Sequence, residues 1–148
     1  MSYKLLVKCT KPVWVTGGYM ELVKNGPKFW EFIRNLRNTK GVREGFIQQK
    51  EITDIEQAEY MLKYNNNYWI CLIDKQPAGY VGVIDNDIRV ATHPDYQGKG
   101  VGSFMINQVM KMCPTAYAKV KLDNEASLRL FERCGFKKKY YLLERDAT

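Results

Sequence analysis

The chain has 148 residues, 45% of them hydrophobic, and carries 23 Lys and Arg against 16 Asp and Glu for a formal net charge of +7. That length and apolar content suffice for one buried core and leave no room for two, so residues 1–148 are read as a single domain. No apolar run approaches the roughly 18 residues a membrane helix needs, and cysteines without Cys-x-x-Cys pairing beside a single histidine, His93, speak against a metal site or disulfide framework.

The opening Met-Ser-Tyr-Lys-Leu-Leu-Val-Lys lacks the long apolar segment and small-residue cleavage site of a signal peptide, so a reducing cytoplasm is the expected compartment. Within residues 1–18, Tyr3 to Lys8 is a candidate extra edge strand. Tyr19 to Lys24 reads as a strand, and Pro27 opens a helix with Phe29, Trp30, Ile33 and Leu36 on one face. Thr53-Asp54-Ile55-Glu56 is a capping box, starting a second helix with Ile55, Ala58 and Leu62 on one side. Three strands are predicted to meander next, Tyr68 to Ile73, Ala78 to Ile84 and Ile88 to Thr92, with turns at Asp74–Pro77 and Asp85–Asp87. A glycine-rich loop then leads into a helix that stops before Pro114, and Tyr117 to Leu122 is a further strand. Asp123 or Asn124 can N-cap a last helix with Leu128, Phe131 and Cys134 on one face, and Gly135 suits its left-handed C-terminal position. Lys137 to Leu143 is predicted to close the sheet.

The loop carries the chemistry. In Gln97-Gly98-Lys99-Gly100-Val101-Gly102-Ser103, glycines at every second position leave backbone N–H groups uncovered where an amphipathic helix begins. First-turn N–H groups have no intrahelical partner and the macrodipole favours negative charge there, so this is an anion site, with Lys99 as a mobile cation. A diphosphate is the expected guest. The dinucleotide fingerprint Gly-x-Gly-x-x-Gly, with its acidic residue about 20 positions on, is absent, as is the Walker pattern.

The loop instead resembles the acyl-CoA pyrophosphate loop, Gln/Arg-x-x-Gly-x-Gly/Ala, of the GNAT (Gcn5-related N-acetyltransferase) superfamily, and the preceding Val90-Ala91-Thr92-His93-Pro94-Asp95-Tyr96 fits that family too. A second hallmark follows: Asn124 and then a helix ending Phe131-Glu132-Arg133-Cys134-Gly135-Phe136, similar to the family's Asn and Tyr-x-x-x-Gly-Phe. The resemblance spans residues 19–143. It implies an α/β (α+β) fold, a single GNAT-like domain with a mixed central sheet splayed at the cofactor site and flanked by about four helices.

It also implies a mechanism. Pantetheine of acetyl-CoA would lie between the splayed strands Ile88 to Thr92 and Tyr117 to Leu122, paired with backbone of Val90, Ala91 and Thr92, as in peptide β-augmentation. Gln97, Gly98, Lys99, Gly100, Val101, Gly102 and Ser103 would bind the diphosphate, with Asn124, Ser127 and Phe131 further along the cofactor. The family's tyrosine acid is here Phe131, which has no proton to give, so the catalytic groups stay open. Tyr140, Tyr141, Cys134 and water are the candidate acids. Asp85, Asp87 and Glu125 are candidate bases that also suit turn or cap roles. No metal is implied.

Three acceptor classes follow: a small-molecule amine such as a nucleotide-linked amino sugar, a protein N-terminus or lysine, or none, if the chain only binds acyl-CoA. Arg34, Arg37 and Arg43, in a segment resembling amino-sugar and ribosomal-protein acetyltransferases, together with the positive charge, favour a neutral or anionic small amine. The scattered Lys and Arg, clustered only at Lys137–Lys139, speak against nucleic acid. A monomer or homodimer is expected.

Overall fold

The computed structural model describes residues 13–15 and 18–146. Five strands, β1 (Val13–Val15), β2 (Gly18–Lys24), β3 (Tyr68–Ile73), β4 (Gln76–Ile84) and β5 (Asp87–Thr92), form one antiparallel sheet in sequence order. The β3–β4 and β4–β5 turns are two-residue connections with positive φ at Asp74, Lys75, Asp85 and Asn86. Such turns match the right-handed twist of the strands they join, and Asp and Asn tolerate the left-handed region. The candidate strand at Tyr3–Lys8 lies outside the described residues.

Helices α1 (Pro27–Asn38) and α2 (Asp54–Tyr64) lie between β2 and β3 in the chain, while α3 (Val101–Met112) and α4 (Glu125–Arg133) follow β5. The sheet therefore has a core on each face. On one, α1 and α2 bring Phe29, Ile33, Leu36 and Met61 onto Tyr68, Ile70, Tyr80 and Ala91. On the other, Val101, Met105, Ile106, Val109 and Phe131 pack on Trp69, Val81, Val83 and Ile88. Successive strand side chains alternate between these two cores, so β3 and β4 read as nearly continuous apolar runs.

Helix α1 forms as predicted, with Pro27 in its first turn and Phe29, Ile33 and Leu36 buried. The Thr53 cap is also in place, its hydroxyl accepting from Glu56 N–H at 3.1 Å. The face of α2 is not the predicted one. Ile55 and Leu62 are 68% and 81% exposed, while Gln57 and Met61 are buried. Gln57 donates to the Trp30 carbonyl at 2.9 Å, Met61 sulfur accepts from Asn25, and Tyr60 and Tyr64 stack on the same side. An aromatic face with a satisfied amide outcompetes three isolated aliphatics.

Two predicted strands are absent. Tyr117 makes one parallel bridge to Asp87, but 118–122 joins no ladder, and Lys137 to Leu143 is irregular and exposed. A strand exists only through its partner's hydrogen bonds. Beyond Tyr117 the two segments diverge, and that divergence shapes the site.

Candidate active site

The bridge itself fixes which groups line the gap. Ile88 N–H donates to Tyr117 carbonyl at 2.9 Å, and Tyr117 N–H donates to Asn86 carbonyl at 2.7 Å. Ile88 therefore turns its backbone away from β4. Because N–H and C=O directions alternate along a strand, Val90 and Thr92 turn theirs the same way. His93 N–H donates to the Ala78 carbonyl of β4 at 2.8 Å, which agrees in turning the backbone groups of the odd-numbered residues toward β4. Val90 and Thr92 thus present backbone donors and acceptors along the open edge. Ala91 contributes a small, buried side chain facing α1 and α2.

That edge runs into the predicted loop. His93 Nδ1 accepts from Asp95 N–H at 3.1 Å, closing a short turn over Pro94–Tyr96. Gly98 and Gly100 then adopt φ of +76° and +80°, and a Cβ at either would meet nothing within 4 Å. Glycine is needed here for its conformation, and the space beside it stays open. Gly100 is the N-cap of α3 without a side-chain cap, so the first-turn N–H groups, Val101 to Ser103, receive no side-chain partner at the head of the helix. Lys99 Nζ sits 5.4 Å above the Tyr96 ring. Gly102 differs from its two companions. It is buried, and a Cβ there would lie 2.8 Å from Leu130 Cδ2, so this glycine admits α4 rather than an anion.

The start of α4 holds Asn124. Its Oδ1 accepts from Ser127 N–H at 3.1 Å, and its Nδ2 donates to Gly45 carbonyl at 3.1 Å, while Lys121 Nζ reaches Glu44 carbonyl at 3.2 Å. Asn124 thereby caps α4 and ties the α1–α2 connection to it. Phe131 is buried with its ring edge-on to Phe136 at 5.1 Å. Tyr140 and Tyr141 are each 91% exposed in the irregular tail. Cys134 is half-buried at the end of α4. Of the carboxylates, Asp85 stands in the β4–β5 turn, and Glu125 pairs with Arg129 at 3.5 Å. Asp87 lies 3.9 Å from Arg89, and burial raises its carboxyl above the ordinary range against the pull of Arg89 and Lys119.

On the α1–α2 face beside Ala91 is a group the sequence did not assemble. Tyr60 and Tyr68 hydroxyls are 2.8 Å apart, and Arg89 Nη1 donates to Tyr60 hydroxyl at 3.4 Å. Gly82 makes room for the Tyr68 ring, since a Cβ there would lie 2.4 Å from it. Arg37 arrives from the end of α1, its guanidinium 3.8 Å above the Phe46 ring and one Nη2 bonded to Gln48 carbonyl. Its Nη1 is fully buried and has no hydrogen-bond partner among the described residues.

Residues 30–136 match the Acetyltransferase (GNAT) family. The chain belongs to that family. As a GNAT protein it is an N-acetyltransferase that uses acetyl-CoA, which the loop and the open edge had led us to expect. Spermidine N(1)-acetyltransferase of Vibrio cholerae is 22% identical over 132 residues, 76% of each chain. The crystal structure of a V. cholerae spermidine N-acetyltransferase with CoA and spermine superposes with a TM-score of 0.75 over 85% of each chain, at 22% identity. A Salmonella typhimurium protein solved with acetyl-CoA gives 0.63 at 19% identity, over 80% of this chain and 79% of that one.

Among the GNAT chain's three arginines predicted to meet the acceptor, two are engaged locally. Arg34 pairs with Glu31 and bonds Ile52 carbonyl at 3.3 Å, and Arg43 lies 4.0 Å from Glu51. Arg37 is the one of the three with a buried donor that no described residue accepts. Arg89 was missed, although the β5 pattern Ile88-Arg89-Val90-Ala91 held the signal. Ile88 and Val90 pack toward α3, which leaves Arg89 on the α1–α2 face.

Proposed function

We propose that this GNAT protein acetylates the primary amine of a small molecule, with the cofactor laid along the open edge of β5. The observation that carries the reading is the edge itself. It meets Tyr117 at one bridge, turns the backbone groups of Val90 and Thr92 away from β4, and runs into the Gly98–Gly100 turn. Pantetheine amides would pair with Val90 and Thr92, and the diphosphate would accept from the N–H groups of Gly98 to Ser103, with Gln97 and Lys99 at its rim. Asn124 and Ser127 would border the cofactor arm, Asn124 chiefly by fixing the α1–α2 connection beside it.

The amine nitrogen attacks the thioester carbonyl, and a β5 backbone N–H aimed at the developing oxyanion favours the tetrahedral state over the ground state. As that state collapses the C–S bond breaks, CoA leaves as thiolate, and the amine's proton passes to solvent. With a thiol pKa of about 8.5 the thiolate leaves without an obligatory acid, which accommodates Phe131 at the position where relatives carry tyrosine. Neither Tyr140 nor Tyr141 is needed in this scheme.

A nucleotide-linked amino sugar is the first acceptor to test, and the arginines beside Ala91 support it. Likeness to the Vibrio spermidine acetyltransferases favours a polyamine as the second reading. Thiol release from acetyl-CoA, measured with a nucleotide-linked amino sugar, spermidine and a basic peptide, separates the two. Turnover of the sugar amine at the lowest KM is expected. Turnover of spermidine alone selects the polyamine, turnover of the peptide alone selects a protein acetyltransferase, and CoA binding without turnover of any of them makes the chain an acyl-CoA binder.

A further inference from the structure

The face where the acceptor amine must approach Ala91 holds two guanidiniums and no compensating carboxylate for one of them. Among the described residues no acidic side chain pairs with Arg37, and its buried Nη1 donates to nothing. An orphaned donor on a charged group keeps its desolvation penalty unless something accepts from it, and it calls for a reason. Its titratable neighbours are the phenols Tyr80, Tyr68 and Tyr60 and the second arginine, Arg89. Burial lowers Arg37 below its ordinary pKa, and Arg89 pushes the same way. Arg89 has Asp87 at 3.9 Å on one side and the phenols of Tyr60, at 3.4 Å, and Tyr68 on the other, and its side chain is 44% exposed.

We propose that Arg37 and Arg89 clamp an anionic group, a carboxylate or phosphate, carried by the acceptor, and so set the distance from that anion to the amine that meets the thioester. The inference rests on the small-amine reading of the same site. Geometry supports it in three ways. Arg37 is held by Phe46 and by Gln48 carbonyl, so its free Nη1 is fixed in direction. Arg89 stands two residues before Ala91 on the same face of β5. The tyrosine hydroxyls between them can accept from the guanidiniums and donate to an anion. A planar guanidinium pairs with carboxylate or phosphate through parallel N–H bonds, and a lysine offers no such fork. A polyamine would face two positive charges here.

The test uses the full chain saturated with CoA, so that the cofactor's own phosphate site is filled. Binding of inorganic phosphate and of acetate is measured calorimetrically at low salt for wild type, Arg89→Gln and Arg37→Gln. We expect one anion to bind wild type and to weaken at least tenfold in Arg89→Gln, whose partly exposed site tolerates the change. The choice between phosphate and acetate names the acceptor's anion. In the thiol-release assay, Arg89→Gln should raise KM for an anionic amine at least tenfold and leave KM for its uncharged counterpart unchanged. Equal binding of both anions in wild type and variants, no binding in wild type, or an equal KM change for charged and uncharged amines overturns the clamp. Anion binding that the variants lose, in a protein that acetylates no amine, keeps the clamp and removes the acetylation reading instead. Should Arg37→Gln fail to fold, Arg89→Gln decides alone.

Discussion

Replacing Gly100 by valine separates the backbone requirement of the loop from its binding role. Gly100 sits at φ +80°, and a Cβ there meets nothing within 4 Å, so the substitution strains the backbone without colliding with the protein. A β-branched residue in that region costs about 1–3 kcal/mol. For a domain of this size that lowers Tm by roughly 2–4 °C per kcal/mol. Gly135, at φ +90° and equally clear of neighbours, supplies a control with the same strain. It lies beyond the far end of α4 from Asn124, about 13 Å along the nine-residue helix. Gly135→Val should therefore lose similar stability. Only Gly100→Val should lose CoA affinity, because its side chain covers first-turn N–H groups and turns them aside. A hydrogen bond to a charged group is worth about 1.5–3 kcal/mol, so losing even one weakens binding about 10- to 100-fold. Thermal unfolding and titration calorimetry with CoA on both variants give the two readouts. Matched Tm losses with equal CoA affinity in all three proteins would refute the assignment of this loop to the diphosphate.

Three further outcomes follow from burial and charge. Phe131→Leu should cost about 1–3 kcal/mol in urea titrations through the lost contact with Phe136 while keeping CoA affinity and most of kcat; a folded, CoA-binding variant with no turnover would give the ring a part in the chemistry. Burial pushes the Cys71 thiol from 9.0 up to about 12, so above pH 9 the unfolded chain releases a proton that the folded one retains. Stability should fall between pH 9 and 12 by up to ~4 kcal/mol from this group, and Cys71→Ala should flatten that fall; identical pH profiles for the two proteins would reject the linkage. Finally, acceptor KM at saturating acetyl-CoA should rise with ionic strength, as the Debye length shrinks from about 30 Å at 0.01 M to about 8 Å at 0.15 M. A falling KM would mean that the acceptor is a cation.

What could be read in the sequence was whatever the backbone had to do. Positive φ at Gly98 and Gly100 leaves glycine as the workable residue, and two-residue turns leave Asp-Lys and Asp-Asn between apolar runs, so the loop and the β3–β5 meander are written locally. Errors arose where partners decide. The α2 face went to Gln57, Tyr60, Met61 and Tyr64 because Trp30 and Asn25 receive them, and neither lies near α2 in the sequence. Tyr117 to Leu122 and Lys137 to Leu143 have strand-like composition but, past the single Tyr117 bridge, form no ladder among the described residues. Gly102 looked like part of the anion turn, and only the packing of α4 on α3 shows that it makes room for Leu130.

The same division separates the Gly98–Gly100 loop, whose conformation is written locally, from the α1–α2 face, which residues far apart in the chain assemble. A cofactor common to a whole family can be held by main-chain groups, whose geometry a short run of glycines specifies whatever the surrounding side chains. An acceptor has to be distinguished by side chains, and on the proposed reading those come from α1, α2, β3, β4 and β5, with Arg37 and Arg89 far apart in the chain. No spacing rule links them. The +7 charge pointed toward an anion but could not say which arginines were free. Glu31 and Glu51 engage Arg34 and Arg43 on the spot, so two of the three predicted candidates are ordinary surface pairs worth little. What remains is Arg37, with a fully buried donor that no described residue accepts and with Arg89 among its charged neighbours. On the proposed clamp an anion carried by the acceptor satisfies that donor, and the choice of acceptor then rests on Arg37 and Arg89.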